Sequence, residues 1–280
     1  MSELPAETSS PPSATAPDAA DAADALKPGD SYVQSFARGL SVIRAFNADA
    51  PRQTLTEVAR RCGLTRAGAR RILLTLVTLG YVKSDGRLFS LTPKILDLGF
   101  AYLSGQPLWQ FAEPLMQALA VALGESCSVA VLEGRDIVYV LRVPARKIMS
   151  INLGIGSRLP AWNTSMGRML LAGLPAEQLD AQLAGLELKA LTGRTVVRID
   201  DLRARIEQAR EQGWCLVNQE LEEGLVSLAA PLKDRSGQTV AALNVSGQVN
   251  RTPPEAMLAQ CLPKLLDAAQ TISRQLQLKS

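Results

Sequence analysis

The stretch from Thr54 to Leu91 limits the fold more than any other part of this 280-residue chain. It contains two short helical patterns separated by a single glycine, followed by a two-strand pattern. Thr54 or Thr56 is placed to cap a helix that carries Leu55, Val58 and Ala59 inward, and Gly63 after Arg60-Arg61-Cys62 supplies a stop that tolerates positive φ. Leu64 is expected to pack into the corner. Thr65 then caps a basic helix whose Ala69, Ile72, Leu73 and Leu76 face a core, while Arg66, Ala67 and Arg70 lie on the opposite, early-turn face. Gly80 ends that helix, and Tyr81-Val82-Lys83 and Leu88-Phe89-Ser90-Leu91 flank Ser84-Asp85-Gly86-Arg87 as a hairpin. Upstream, Phe36, Leu40, Ile43 and Phe46 recur as the apolar stripe of a first amphipathic helix that stops near Asn47.

Charge is concentrated in the same place. From Ser31 to Leu96 there are eleven basic residues against three acidic ones, a net charge of +8, while Asp97 to Ser280 is neutral with 18 of each sign. A confined excess of this kind is the footprint of a phosphate-binding module joined to something else. A solvated basic face would explain the charge alone. A capped basic helix behind a tight turn and ahead of a wing is what a reader of the DNA major groove requires. Residues 31–92 are therefore expected to form a winged helix-turn-helix on double-stranded operator DNA. Thr65, Arg66, Ala67 and Arg70 would sit at the groove and Arg87 on the wing. Arg71 lies nearer the side of the helix, where a phosphate contact, a base contact and an internal salt bridge all remain open. Residues 1–30, rich in Ala, Pro, Ser and Asp, carry six acids against Lys27 and cannot bury enough apolar area to order themselves, so a disordered tail is expected.

Beyond the basic segment, Ile95, Leu98 and Tyr102 predict a linker helix within 93–107, broken at Gln106-Pro107 before a second apolar run from Leu108. Within 108–280 the strand patterns are Ser126 to Leu132, Asp136 to Val143, Trp214 to Asn218, Leu225 to Leu232 and Thr239 to Ser246. Helices are expected after Asn163 or Thr164, from Pro175 to Ala184, from Asp200 to Gln212 and after Pro253. Strands on either side of a block of helices imply an α+β domain with an antiparallel sheet.

Several chemistries are excluded or weak. The chain has no histidine, which removes a Ser-His-Asp triad, a Cys-His dyad and any His-ligated metal. Cys62, Cys127, Cys215 and Cys261 form no CxxC pair, so neither a zinc cluster nor a disulfide framework is expected and a reducing cytoplasm fits. Gly154-Ile155-Gly156 reads as a Gly-rich loop without the third glycine of a dinucleotide fingerprint, and Ser165 stands in Thr-Ser-Met-Gly rather than GxSxG. Glu220, Glu222 and Glu223 precede Gly224 between two strands and read as a solvated turn. No cofactor, metal or enzymatic activity is expected, and no apolar run reaches the ~18 residues of a membrane span.

LTEVARRCGLTRAGARRILLTLVTLGYV followed by LFSLTPKILDLG resembles the DNA-binding module of IclR-type transcriptional regulators. IVYVLRVPARKIMSINLGIGSRLPAWNTSMGRMLLA and GWCLVNQELEEGLVSLAAPLKDRSGQTVAALNVSG resemble that family's effector domain, and RLPAWNTSMGR with NQELEEGL is similar to the branch that controls the β-ketoadipate pathway of aromatic acid breakdown. The resemblance implies a GAF-like effector domain and a homodimer paired through its DNA-binding half, with tetramers as dimers of dimers. It also implies a small carboxylate effector of the protocatechuate, 4-hydroxybenzoate or β-ketoadipate class. Its effector-contacting positions fall on Ile148, Leu159, Ser165, Met166, Val217, Ser227, Asn244 and Ser246. Where Val217 stands the family frequently has an acid, so the ligand should differ from the small 2-oxo acids of other members. The helix N-terminus at Ser165 and Met166 favours an anion, and Arg142, Arg146 and Arg158 are candidate carboxylate partners, each otherwise a surface charge. A ligand-independent DNA-binding protein whose second domain only oligomerises is the competing reading.

Overall fold

The computed structural model describes residues 32–105, 108–145 and 153–279. The tail expected over 1–30, the break at Gln106-Pro107, and Arg146 and Ile148 lie outside the described residues. The chain divides into two compact units between Leu98 and Gly99.

The first unit holds α1 (Gln34–Arg44), β1 (Gln53–Thr54), α2 (Leu55–Arg61), α3 (Arg66–Thr78), β2 (Val82–Ser84) and β3 (Leu88–Leu91), with the three strands ordered β1-β3-β2 and antiparallel. Thr54, not Thr56, caps α2, and it does so in a reciprocal box. Thr54 Oγ1 accepts the Glu57 amide at 3.3 Å while the Glu57 carboxylate accepts the Thr54 amide at 2.7 Å. The Thr54 amide, with the Thr54 hydroxyl donating at 2.8 Å, holds the Glu57 carboxyl below its ordinary range. Gly63 takes φ +62° at the turn, and Thr65 Oγ1 accepts the Gly68 amide at 3.1 Å to start α3. The buried core is Val42, Phe46, Val58, Leu73, Leu76, Val82 and Phe89.

The apolar stripe of α1 departs from expectation. Phe36 is 66% exposed and Leu40 43%, whereas Val42 and Phe46 are buried and Ile43 is half-buried. Val42, on a different face of the helix, and Phe46, in the chain just past the helix end, are the residues that meet Leu73 and Val58 in the core. Sequence also gave no sign of β1. Its Gln53 is buried and donates from Nε2 to Ala45 O (2.9 Å) and Ala50 O (3.2 Å), tying the loop after α1 to the wing sheet.

A 3-10 turn, Pro93–Ile95, leads into α4 (Leu96–Ser104), within which the units divide. The second unit comprises α5 (Leu108–Leu123), β4 (Ser126–Glu133), β5 (Asp136–Val143), β6 (Arg158–Pro160), α6 (Ser165–Ala172), α7 (Ala176–Leu183), α8 (Ile199–Gln212), β7 (Cys215–Asn218), β8 (Leu225–Lys233), β9 (Thr239–Gln248) and α9 (Leu262–Lys279), the last entered through a π-helical turn at Met257–Cys261. The six strands form one antiparallel sheet in the order β6-β5-β4-β9-β8-β7. Period-2 alternation assigns its faces. Val226, Leu228, Ala230 and Leu232 with Ala241, Leu243 and Val245 pack against α5 and α9, and Ala229, Val217 and Ala242 face the core shared with α6 and α8. The register shift at Val129/Ala130 leaves Val140 of β5 as the extra residue, so β5 turns Ile137 and Tyr139 toward the α6 core and Leu141 and Val143 toward the α5 core, while β4 keeps its alternation. This is the expected α+β, GAF-like unit, with one strand more than expected, since the edge strand β6 follows the Gly-rich loop. No helix among the described residues is long and apolar enough to cross a membrane.

Candidate functional site

Two sites stand out, one in each unit. On the first, α3 presents Arg66, Ala67, Arg70 and Arg71 exposed, with Thr65 exposed at its cap and Arg87 exposed on the wing. Arg66, Arg70 and Arg87 line one open cleft between α3 and the wing, together with Thr54, Thr56 and Ser84. None of these arginines has a salt-bridge partner among the described residues, so their charge faces outward. The turn that aims Arg87 is fixed by the Asp85 carboxylate, which accepts the Leu88 amide at 2.8 Å and the Arg87 amide at 3.3 Å and is held below the usual carboxylate range by those bonds. Arg52 also pairs with Asp85. Arg71 stands apart. It lines a different groove, with Thr65, Gly68, Ile72 and Leu79, and makes no salt bridge with any described residue.

The second site lies where α6 meets the sheet. Strand register places Val217 opposite Ser227 and Ser227 opposite Ser246, one row across β7, β8 and β9, with Asn244 two residues along on the same face. These polar side chains are buried and joined to one another. Ser165 Oγ and Ser227 Oγ lie 2.8 Å apart, and Asn244 Nδ2 donates to Ser227 Oγ and Ser246 Oγ, both at 3.1 Å. Asn244 Oδ1 accepts the Ser128 amide at 3.0 Å. With Met166, Asn163, Tyr139 and Arg142, they surround a small cavity. Its free space is about 30 Å³, room for a water or two and far below the ~300–1,000 Å³ of a ligand cleft. Burial pushes the Tyr139 phenol up to about 12, leaving it a neutral hydroxyl at neutral pH.

The end of α6 that closes the cavity is built by a close approach. Thr164 Oγ1 accepts the Gly167 amide at 3.2 Å, and the first internal bond runs from the Arg168 amide to Thr164 O at 3.0 Å, so the Ser165 and Met166 amides precede the helical ladder. A Cβ at Gly167 would sit 2.1 Å from Ala161 O, so only glycine lets the short 3-10 turn Ala161–Asn163 lie against the helix.

The sequence-derived positions thus divide. Ser165, Met166, Val217, Ser227, Asn244 and Ser246 share the cavity wall. Leu159 does not: it sits half-buried on β6, opposite Ile137, in the adjoining apolar core. Of the candidate arginines, Arg142 lines the cavity, whereas Arg158 is exposed at the sheet edge and pairs with Glu133 (3.0 Å) and Asp136 (3.3 Å), which occupies it elsewhere. Glu220 requires a correction. It is buried, not part of a solvated turn, and takes a bidentate grip from Arg168, Nη1 to Oε1 at 2.8 Å and Nη2 to Oε2 at 2.5 Å. Arg168 was not foreseen either. The signal was present in a lone charge inside the otherwise apolar run Met166 to Leu171, a position that exists only if the charge is paired.

Two family profiles match the chain: one described as the IclR helix-turn-helix domain over residues 35–86, the other as the bacterial transcriptional regulator IclR C-terminal domain over residues 100–274. The Pca regulon regulatory protein of Pseudomonas putida is 45% identical over 246 residues, covering 88% of this chain and 84% of that protein. The p-hydroxybenzoate hydroxylase transcriptional activator of Acinetobacter baylyi is 34% identical over 86% of this chain and 90% of its own length. The crystal structure of a homologue from Microbacterium hydrocarbonoxydans, complexed with 4-hydroxybenzoate, superposes with a TM-score of 0.77 at 25% identity, covering 87% of this chain and 99% of that one.

Proposed function

The chain belongs to the IclR family of bacterial transcriptional regulators, and we propose that it governs aromatic acid breakdown by binding operator DNA in a manner that responds to an aromatic carboxylate. The observation that carries the sensory half is the buried network of Ser165, Ser227, Asn244 and Ser246 around a cavity. A domain that only oligomerised would have no reason to gather hydroxyls and an amide at its core instead of apolar packing, since each such group must be kept satisfied. Positive potential from the α6 N-terminus and Arg142 suits an anion, and Val217 and Met166 suit its carbon frame. The names of the Pseudomonas and Acinetobacter relatives, and the 4-hydroxybenzoate in the Microbacterium homologue, support an aromatic acid of the 4-hydroxybenzoate or protocatechuate class.

On the DNA side, Arg66 and Arg70 read base edges, Thr65 and Ala67 fit the helix start against the groove, and Arg87 and Arg71 hold phosphates. The exposed Phe36 and Leu40 of α1 give the first unit an apolar face suited to pairing with a second copy. No step of this function asks for a catalytic group.

One observation favours the competing reading, in which the second unit only oligomerises: the cavity is nearly filled. An aromatic acid enters only by displacing wall side chains, among which Leu221 lies in the turn between β7 and β8 and Leu225 begins β8. A thermal-shift panel of protocatechuate, 4-hydroxybenzoate, β-ketoadipate and benzoate on the full chain separates the two. A ligand at 100 times its Kd adds ~2.7 kcal/mol to the unit that binds it. No shift with any acid favours the ligand-independent protein.

A further inference from the structure

Asn163 lies in the cavity wall with no exposed surface, and neither its amide oxygen nor its amide nitrogen has a hydrogen-bond partner. Buried amides are almost always paired, and one left bare in a polar cavity marks a place where another molecule completes the bonding. The same wall holds a second incomplete group. Arg142 is half-buried, its described side-chain contact is Ser128 Oγ at 3.5 Å, and no carboxylate among the described residues reaches it, whereas Arg158, Arg168 and Arg251 of the same unit each hold one. It is also the one charged side chain among the described residues of the lining.

Resting on the sensor reading above, we infer that Arg142 and Asn163 set the chemistry of the effector: Arg142 takes its carboxylate, and Asn163 reads a hydroxyl on its ring. A full positive charge outranks the half-charge of the α6 end as the anchor for an anion. A hydroxyl is the ring substituent that offers a donor to Oδ1 and an acceptor to Nδ2 at once. Before the ligand arrives, a water in the small cavity satisfies the amide, and the hydroxyl of the acid replaces it with the same bonds. An acid lacking that hydroxyl expels the water and leaves the amide bare, so it binds more weakly for a reason built into the wall.

The test is calorimetry on the full chain with three probes: 4-hydroxybenzoate, protocatechuate and benzoate. The wild type is expected to bind the two hydroxylated acids at least ~10-fold more tightly than benzoate. Asn163→Leu, close in size and without the amide, should erase that ratio by weakening the hydroxylated acids while leaving benzoate as tight or tighter. Arg142→Gln should weaken all three by ~10-fold or more with the ratio intact, and Arg142→Lys should restore part of the loss. Thermal melts without ligand establish that each variant is folded, and if Asn163→Leu is not, Asn163→Ala takes its place. A ratio unchanged in the Asn163 variant, equal loss of all three acids there, or full binding by Arg142→Gln overturns the assignment. A wild type that binds none of the three overturns the sensor reading and this inference with it.

Discussion

Replacing Glu220 with glutamine keeps the shape of the side chain and removes one charge from a buried pair. Its partner Arg168 is 1% exposed and spends its donors on Glu220 and on Trp162 O, the last from Nε at 2.8 Å. A guanidinium cannot shed its proton at any relevant pH, so in Glu220→Gln the charge stays buried with only neutral acceptors around it. Removing one member of such a pair costs ~3–5 kcal/mol, a large share of the ~5–15 kcal/mol that holds a domain folded. Glu220 Oε2 also accepts the Val196 amide at 3.3 Å, so a glutamine that keeps its carbonyl there turns its NH2 toward Nη1 of Arg168, donor against donor, and the variant loses a hydrogen bond along with the charge. The double variant Arg168→Met/Glu220→Leu removes both charges and should recover most of the deficit, giving a coupling of several kcal/mol between the two sites. The assay is urea unfolding followed by tryptophan fluorescence. Trp109, Trp162 and Trp214 all belong to the second unit, so the signal reports that unit alone. Glu220→Gln within ~1 kcal/mol of wild type would refute the argument and return Glu220 to the surface, where median ion pairs contribute little.

Gly167→Ala should destabilise the second unit by ~3 kcal/mol or more, because its methyl meets Ala161 backbone rather than a movable side chain; an unchanged melt would mean that α6 and the 3-10 turn are farther apart than described. Arg66→Ala or Arg70→Ala should cost ~1–3 kcal/mol of DNA binding and relax base preference in selection from a random library, whereas Arg87→Ala should weaken all sequences alike; equal behaviour of the three would place the reading face elsewhere. Operator affinity should fall steeply with salt, with a log-log slope near −5 for ~6 neutralised phosphates across a dimer, as read by anisotropy titrations from low to physiological salt.

How much the sequence disclosed depends on how local the determinant is. Caps and glycine stops act within a few residues, which is why Thr65, Gly63 and the hairpin around Gly86 could be placed from pattern alone. Asn244 and Ser246 follow from the resemblance, and the period-2 alternation of β9 is why they share one face. What pattern could not supply was the choice among equivalent faces and partners. On α1 Phe36 and Leu40 are as apolar as Val42, and only the position of Leu73 decides which of them is buried. β1 and β6 are two and three residues long, too short for any periodicity, and exist because β3 and β5 offer them an edge. Glu220 could not be told from Glu222 and Glu223 without knowing that Arg168 lies beneath it. Arg142 and Arg158 looked alike in sequence; one strand edge with Glu133 and Asp136 beside it separates them.

The central claim is that occupancy of the cavity changes the grip on DNA, and it is tested most directly by measuring operator affinity with and without acid. DNA fragments are first selected by the full chain from the host genome, and their affinity is then read by anisotropy at fixed physiological salt. The acid that most stabilises the protein is present at saturation in one series and absent in the other. The account predicts a change of ~5–150-fold between the two series, and, by linkage, an equal change in the acid's affinity when operator is bound. Operator affinity that is identical with and without a bound acid would contradict it.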